Sequence, residues 1–299
     1  MALLERAEPA WLLLALVLQA ATYATQSRLW QVALSPARVR LPMSDAYPLS
    51  LAKLFVDQAL PSVGVSGNLF LVRSLVARGV SRGLAMSVVV VDTAAFYTAY
   101  AAGVALALLA LFRTVAITPW LLGSAALLIV LASAVVIIAF AISGRPARPG
   151  DSPGPRSAAL GRAIHLFREA DPVVVRNRRV VTQGIVFHFS VAIMDAMTLW
   201  ALLAAVGTPA RLDLVFAAFM VASLFRSLGV MPGGMGTFEA SAVAALGVIG
   251  VPLAGALAGT LLFRGLSFWL PMLPGLVLSR RMNSSTALQA TAPQSIRRA

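Results

Sequence analysis

The sequence predicts an all-α polytopic membrane protein, with about five full spans and two re-entrant broken-helix hairpins set out as an inverted-topology repeat. Three observations predict it. Of 299 residues, 59% are hydrophobic and only 12% charged, against roughly 25% charged in a soluble domain. The apolar residues gather into runs, most of them long enough to cross a hydrocarbon core of about 30 Å. Two runs are broken by a proline followed by spaced glycines, Pro61-Ser62-Val63-Gly64-Val65-Ser66-Gly67-Asn68 and Met231-Pro232-Gly233-Gly234-Met235-Gly236-Thr237-Phe238-Glu239-Ala240.

The second break shows the physical problem. Pro232 removes a backbone donor and the three glycines favour non-helical geometry, so no ordinary helix runs through the apolar stretch. Irregular backbone at membrane depth survives only against protein or a water-filled cavity, because lipid satisfies neither N–H nor C=O. Glu239 opens the following half-helix, where an acid suits the dipole and not hydrocarbon. A lone Pro-Gly-Gly is also compatible with a tight turn between two spans.

Taken in order, the apolar run from Trp11 continues toward Leu34 as a first span, a retained one because Glu5 and Glu8 precede it in place of a basic segment. Leu49 to Leu60, interrupted by Lys53 and Asp57, and Leu69 to Val76 are each too short to span at 1.5 Å per residue. Together they make a hairpin over 49–76. Leu84 to Phe112 is a long helix carrying Asp92, and Pro119 to Ile142 is a span without charge. The first span, the hairpin and the long helix give a first half over 11–112.

Gly144 to Pro155 reads as a loop. In Ser157 to Asp171 the apolar Leu160, Ala163, Ile164 and Phe167 recur at helical spacing opposite Arg162, His165, Arg168 and Glu169. That pattern suits an interfacial helix on a headgroup surface or a partner-binding helix. The segment 143–179 separates the halves. The second half, 180–278, holds a span from Val180 to Val206 with His188 and Asp195 on one face, a hairpin over 214–249 with Arg226 in its first arm, and a last span from Pro252 to Leu278 with Arg264 near its middle. From 279 to 299 the chain reads as a disordered basic tail outside the membrane domain 1–278.

The net charge of +13 sits in short connections between apolar runs, which assigns it to topology and anionic headgroups rather than to nucleic acid. Arg145 to Arg179 holds eight arginines against three acids. The positive-inside rule therefore places that connection in the cytoplasm. Counting from it puts 73–82 inside, 207–213 outside, the tail inside, and the two hairpins on opposite faces.

Asp92, Asp195, Glu239, Arg226 and Arg264 all fall in apolar segments. At about 2.5–3.5 kcal/mol for each lipid-exposed charge at a helix centre, they must face protein, water or one another. Ion pairs that fix helix packing satisfy that need, and so does a polar path for a headgroup. His188 reads as a packed polar residue outside the site. Neither cofactor nor metal is expected, since there is no cysteine, the two histidines are far apart, and the glycine-rich stretch lacks the Lys-Ser/Thr of a nucleotide-binding loop. No enzyme activity is expected, for want of a nucleophile with a base.

The stretch 231–240, followed by Gly250-Val251-Pro252, Leu262-Phe263-Arg264, Phe268-Trp269-Leu270-Pro271 and Gly275, resembles the C-terminal signature of the lysylphosphatidylglycerol synthase transmembrane-region family. In the first half, 61–68, Leu71-Val72-Arg73, Gly79-Val80 and Asp92 follow in the family's order. The resemblance implies an integral, multi-pass protein of the bacterial inner membrane with paired re-entrant elements. It also implies a lipid substrate, an anionic or aminoacylated phospholipid or a polyprenyl-linked lipid. Carried over by position, Gly64, Gly67, Arg73, Gly233, Gly234, Gly236, Glu239 and Arg264 are its expected site residues. Asn68, Asp92, Asp195 and Arg226 complete the expected substrate path. The family's two-function members carry a soluble synthase domain after the membrane part. None follows here, so a stand-alone member that does not make aminoacyl lipid is expected.

Two functions compete. The first is a lipid flippase or transporter, the headgroup passing between the halves, with glycine-rich half-helix N-termini and Arg73, Arg226 or Arg264 for a phosphate. The second is a non-transporting accessory subunit of a lipid-modifying or glycosyltransferase system, docking an enzyme partner through 145–179. A homo-oligomer is compatible with either.

Overall fold

A computed structural model describes residues 8–60, 64–112, 119–143, 168–228 and 232–291. The expected loop from Gly144 to Pro155 and most of the amphipathic segment 157–171 lie outside them. Among the described residues every regular element is helical. In chain order these are α1 (Pro9–Leu34), α2 (Met43–Ala59), α3 (Val65–Ala77), α4 (Arg82–Phe112), α5 (Pro119–Ile142), α6 (Pro172–Val175), α7 (Arg178–Ala205) and α8 (Leu212–Leu228). A 3-10 turn (Pro232–Gly234) leads to α9 (Thr237–Val248), α10 (Leu253–Arg264), a π turn (Gly265–Trp269) and α11 (Leu270–Thr291).

Among the described residues four stretches are long and apolar enough to cross a membrane: Arg82–Phe112, Ala125–Ile142, Arg178–Ala205 and Leu253–Met282. The chain is thus an α-helical multi-pass membrane protein. With 26 residues α1 has the length, but Gln19, Thr22, Tyr23, Thr25, Gln26 and Ser27 make its second half too polar to join them. Those residues turn out to serve a site.

Where the sequence shows a single last span, the structure divides it at a π turn. Pro271 has no N–H for the Ser267 carbonyl, so the ladder loosens one turn earlier and continues with the wider spacing. Helix α11 runs to Thr291, into the segment 279–299. No glycine or proline interrupts 276–292, so nothing in that stretch stops the helix.

The two halves repeat one another. Helices α1 and α7 have 26 and 28 residues, α2 and α8 have 17 each, and α3 and α9 have 13 and 12. The 31 residues of α4 match the 30 of Leu253–Met282. Local geometry repeats as well. Arg38 (φ 56°) and Gly207 (φ 74°) both take the left-handed conformation, after α1 and α7. The N–H of Ala46 donates to the Pro42 carbonyl at 3.0 Å, and that of Val215 to the Arg211 carbonyl at 3.0 Å. Arg38 and Gly207, Pro42 and Arg211, Ala46 and Val215 all stand 169 residues apart. At the ends of α3 and α9 the same closing bond recurs, Val80 N–H to Leu75 O and Val251 N–H to Leu246 O.

Helices α1 and α7 run antiparallel along their length. Glu8 N–H donates to Ala205 O at 3.4 Å, Trp11 and Trp200 meet edge to face at 5.2 Å, and Gln19 reaches Asp195. Two apolar cores form, each drawing on both halves. Trp30, Leu49, Leu71 and Leu75 are buried with Val180 in one, and Leu199, Phe219, Phe238 and Phe263 are buried with Ala15, Tyr100 and Leu111 in the other. What lies between the two cores is polar.

Candidate functional site

The hairpin of α2 and α3 is tied at its tip by one carboxylate. Asp57, near the end of α2, accepts Lys53 Nζ at 2.8 Å and, on its other oxygen, the N–H of Gly67 at 2.9 Å. Only glycine fits at 67, because a β-carbon would fall within the Asp57 carboxyl group. Gly64 opens α3 with φ 80°, a conformation that favours glycine.

The hairpin of α8 and α9 is tied by a second carboxylate. Glu239 Oε2 accepts the N–H of Gly236 at 2.7 Å, closing the first turn of α9, and its Oε1 accepts Arg264 Nε at 2.7 Å. Arg264 Nη2 donates to Gly233 O at 3.1 Å, and the guanidinium lies over the Phe268 ring at 4.3 Å. The Arg264 side chain is only 5% exposed, so its charge is matched at close range as burial demands. A β-carbon on Gly233 would strike Phe268, and one on Gly234 would strike the Arg226 stem.

The tip turn Pro232–Gly234 packs against α2, so the hairpins meet. Between them and the α1–α7 pair lies a cavity of about 180 Å³. Gln19, Thr22, Tyr23 and Gln26 of α1 line one wall, and Ser50, Lys53, Asp57 and Gln58 of α2 another. Asp195, Arg226, Phe263, Arg264 and Ser267 come from the second half. Asp57 and Arg226 stand at the repeat separation of 169 residues, giving the two hairpins opposite charges at equivalent places.

Lys53 is held by Asp57 and Arg264 by Glu239. Among the described residues Arg226 has no ion pair; it lies 5.8 Å from the Phe238 ring centre and within electrostatic reach of Asp195. Asp195 Oδ1 accepts Gln19 Nε2 at 2.7 Å. The Oε1 atoms of Gln19 and Gln58 are buried without a hydrogen-bond partner. Among the described residues the cavity therefore offers one cation outside any ion pair, Arg226, and two unfilled acceptors. That donor and acceptor set suits a polar headgroup.

The structure brings Asp195, Arg226 and Arg264 to the cavity and places Gly67, Gly233, Gly234, Gly236 and Glu239 in the two ties that shape it. It does not bring Arg73, which is exposed on α3 and outside the lining. The reason is register. Arg73 is six residues, more than one and a half turns, past Gly67, on a different face of α3. Asn68 is half-buried beside the tip without lining the cavity, and Gly64 caps α3 there.

Asp92 is buried just behind the wall, where its Oδ1 accepts Gln26 Nε2 at 2.8 Å and lies 2.9 Å from His188 Nε2. His188, read from the sequence as a packed residue, thus pairs with an expected site acid. Gln19, Gln26, Lys53, Asp57 and Ser267 are site residues that sequence reading missed. One signal was available: Gln19 and Gln26 are seven residues apart, as His188 and Asp195 are, and each set forms one polar stripe on an apolar helix.

The fold and this site define a class, a helical multi-pass membrane protein built from two similar halves around a mixed-charge cavity. Within that class the chain belongs to the family described as the lysylphosphatidylglycerol synthase transmembrane region, which it matches over residues 1–275. It is also similar to two sequences titled UPF0104 membrane protein, both from Methanothermobacter thermautotrophicus. One is 25% identical over 108 residues, 36% of this chain and 32% of the relative. The other is 34% identical over 100 residues, 32% of this chain and 29% of the relative. The matched segments span about a third of those relatives' length.

Proposed function

We propose that the protein is a lipid flippase or transporter. On this reading it moves a phospholipid or another polar-headgroup lipid, such as a polyprenyl-linked one, across a bacterial inner membrane. The headgroup passes through the cavity between the hairpins while the acyl chains stay in the bilayer. The observation that carries the reading is the cavity itself: a wall of mixed charge, with Arg226 outside any ion pair among the described residues, where two broken helices meet. Family membership supports a lipid substrate, and no covalent chemistry is part of the reading.

The repeat supplies the motion. We read α1, α4, α5, α7 and the α10–α11 pair as five spans, and the α2–α3 and α8–α9 pairs as re-entrant hairpins entering from opposite faces. Antiparallel α1 and α7, equivalent in the repeat, support the inversion. Rocking one half against the other then exposes the cavity to each leaflet in turn.

Leaflet-resolved movement of labelled lipids in liposomes holding the purified protein tests this. Wild type should move one lipid class faster than empty liposomes, with Arg226→Gln and Glu239→Gln slowing it at least tenfold. Wild-type movement no faster than empty liposomes, over anionic, aminoacylated and polyprenyl lipids, overturns the reading.

A further inference from the structure

The Asp92–His188 pair has no part in the site as described. It joins α4 to α7, and its side chains are 8% and 9% exposed. Gln26 donates to the same carboxyl oxygen from α1. Three helices from both halves therefore converge on one oxygen. Histidine is the side chain that changes charge near neutral pH, and an ionisable pair inside a membrane is costly unless it serves a function. From this geometry we infer that Asp92 and His188 form a proton-binding site that couples proton movement to the lipid transport proposed above, on which this inference rests.

One outside charge decides the response. Lys53 acts electrostatically on Asp92 as well as on its partner Asp57. Among the described residues no other packed element contributes a charged group to the pair. Helix α1 offers Gln26, while α5 and α6 are uncharged. Arg73 of α3 is exposed, Arg226 of α8 faces Asp195, and Arg264 of α10 is held by Glu239.

With a proton on His188 the pair is neutral overall, and Lys53 stays with Asp57 and through it with the hairpin tip at Gly67. When the proton leaves, Asp92 carries an uncompensated charge in a low-dielectric setting, and Lys53 is the cation that answers it. Lys53 then releases Asp57, which is left with the Gly67 N–H alone, and the first hairpin loses one of the two contacts that fix this carboxylate beside the cavity. Proton occupancy thereby sets the shape of the cavity wall without any proton entering the headgroup site.

The test uses the intact protein in liposomes loaded with a pH-sensitive dye, with labelled phosphatidylglycerol, phosphatidylethanolamine and polyprenyl phosphate as probes. If one proton accompanies each lipid, a gradient of about one pH unit shifts the leaflet ratio of the moving lipid up to tenfold, with matching acidification. His188→Gln should keep lipid movement at equal pH on both sides and lose the response to the gradient. Asp92→Asn should lose that response too.

Lipid movement in wild type that ignores the gradient and moves no protons overturns the coupling and leaves the transport reading standing. An unchanged gradient response in His188→Gln does the same. No movement of any of these probes, nor of labelled lysyl-phosphatidylglycerol, under any condition overturns both. The wild-type arm decides even if a variant fails to fold.

Discussion

Glu239 is committed through both of its oxygens, which close the first turn of α9 and neutralise Arg264. Glu239→Ala leaves a buried guanidinium unpaired and should cost about 3 kcal/mol, toward the low end for a broken buried pair because the Glu239 side chain is 25% exposed. Thermal unfolding followed by tryptophan fluorescence measures it. Two neighbouring glycines separate strain from space. At Gly236 (φ 81°) an added β-carbon meets nothing, so Gly236→Ala should cost only the left-handed penalty of about 1–2 kcal/mol. At Gly234 (φ 66°) it also displaces the Arg226 stem, so Gly234→Ala should cost more and slow lipid movement as well. Equal losses at both sites would remove the Arg226 stem from this account.

Among elements, the antiparallel seam of α1 and α7 carries a polar contact between the halves, Gln19 to Asp195. Gln19→Leu deprives Asp195 of its donor, an expected loss of about 1–3 kcal/mol. Adding Asp195→Leu should restore part of it, because replacing both partners leaves no group unsatisfied. A double-mutant cycle on unfolding measures the coupling. The turn after α1 gives a prediction of opposite sign. Arg38 holds φ 56° where the repeat has Gly207. Arg38→Gly relieves about 1–2 kcal/mol of left-handed strain against a loss of roughly 0.5–1 kcal/mol in chain entropy, a small net gain in unfolding temperature. A lowered unfolding temperature would show that the Arg38 side chain holds something that matters more than its backbone.

At the scale of the whole molecule, the charge distribution and the repeat make the same topological statement. Turns 35–42 and 207–211 share their local geometry, and the proposed inversion would put them on opposite faces. The chain has no cysteine, so single cysteines report cleanly. In intact cells an impermeant thiol reagent should label Pro209→Cys and spare Ala37→Cys, both positions being exposed. Labelling of both from one side would overturn the inversion and, with it, alternating access between the halves.

Composition and apolar periodicity by themselves determined the membrane class, the long helices α4, α5 and α7, and the two breaks, because solvent preference and backbone freedom belong to the residue and its near neighbours. Glu239 and Arg264 were legible for the same reason: a charge within an apolar run must have a partner. Only the tertiary structure decided who that partner is. It paired Asp92 with His188 in place of a lone acid, brought Gln19 to Asp195, left Arg73 outside the cavity, and made Lys53–Asp57 part of its wall. Such pairings depend on helix rotation and crossing over separations of up to 176 residues, which no local pattern encodes. The π turn after Arg264 belongs between the two: Pro271 announces a missing hydrogen bond, and packing around Phe268 decides how the helix absorbs it.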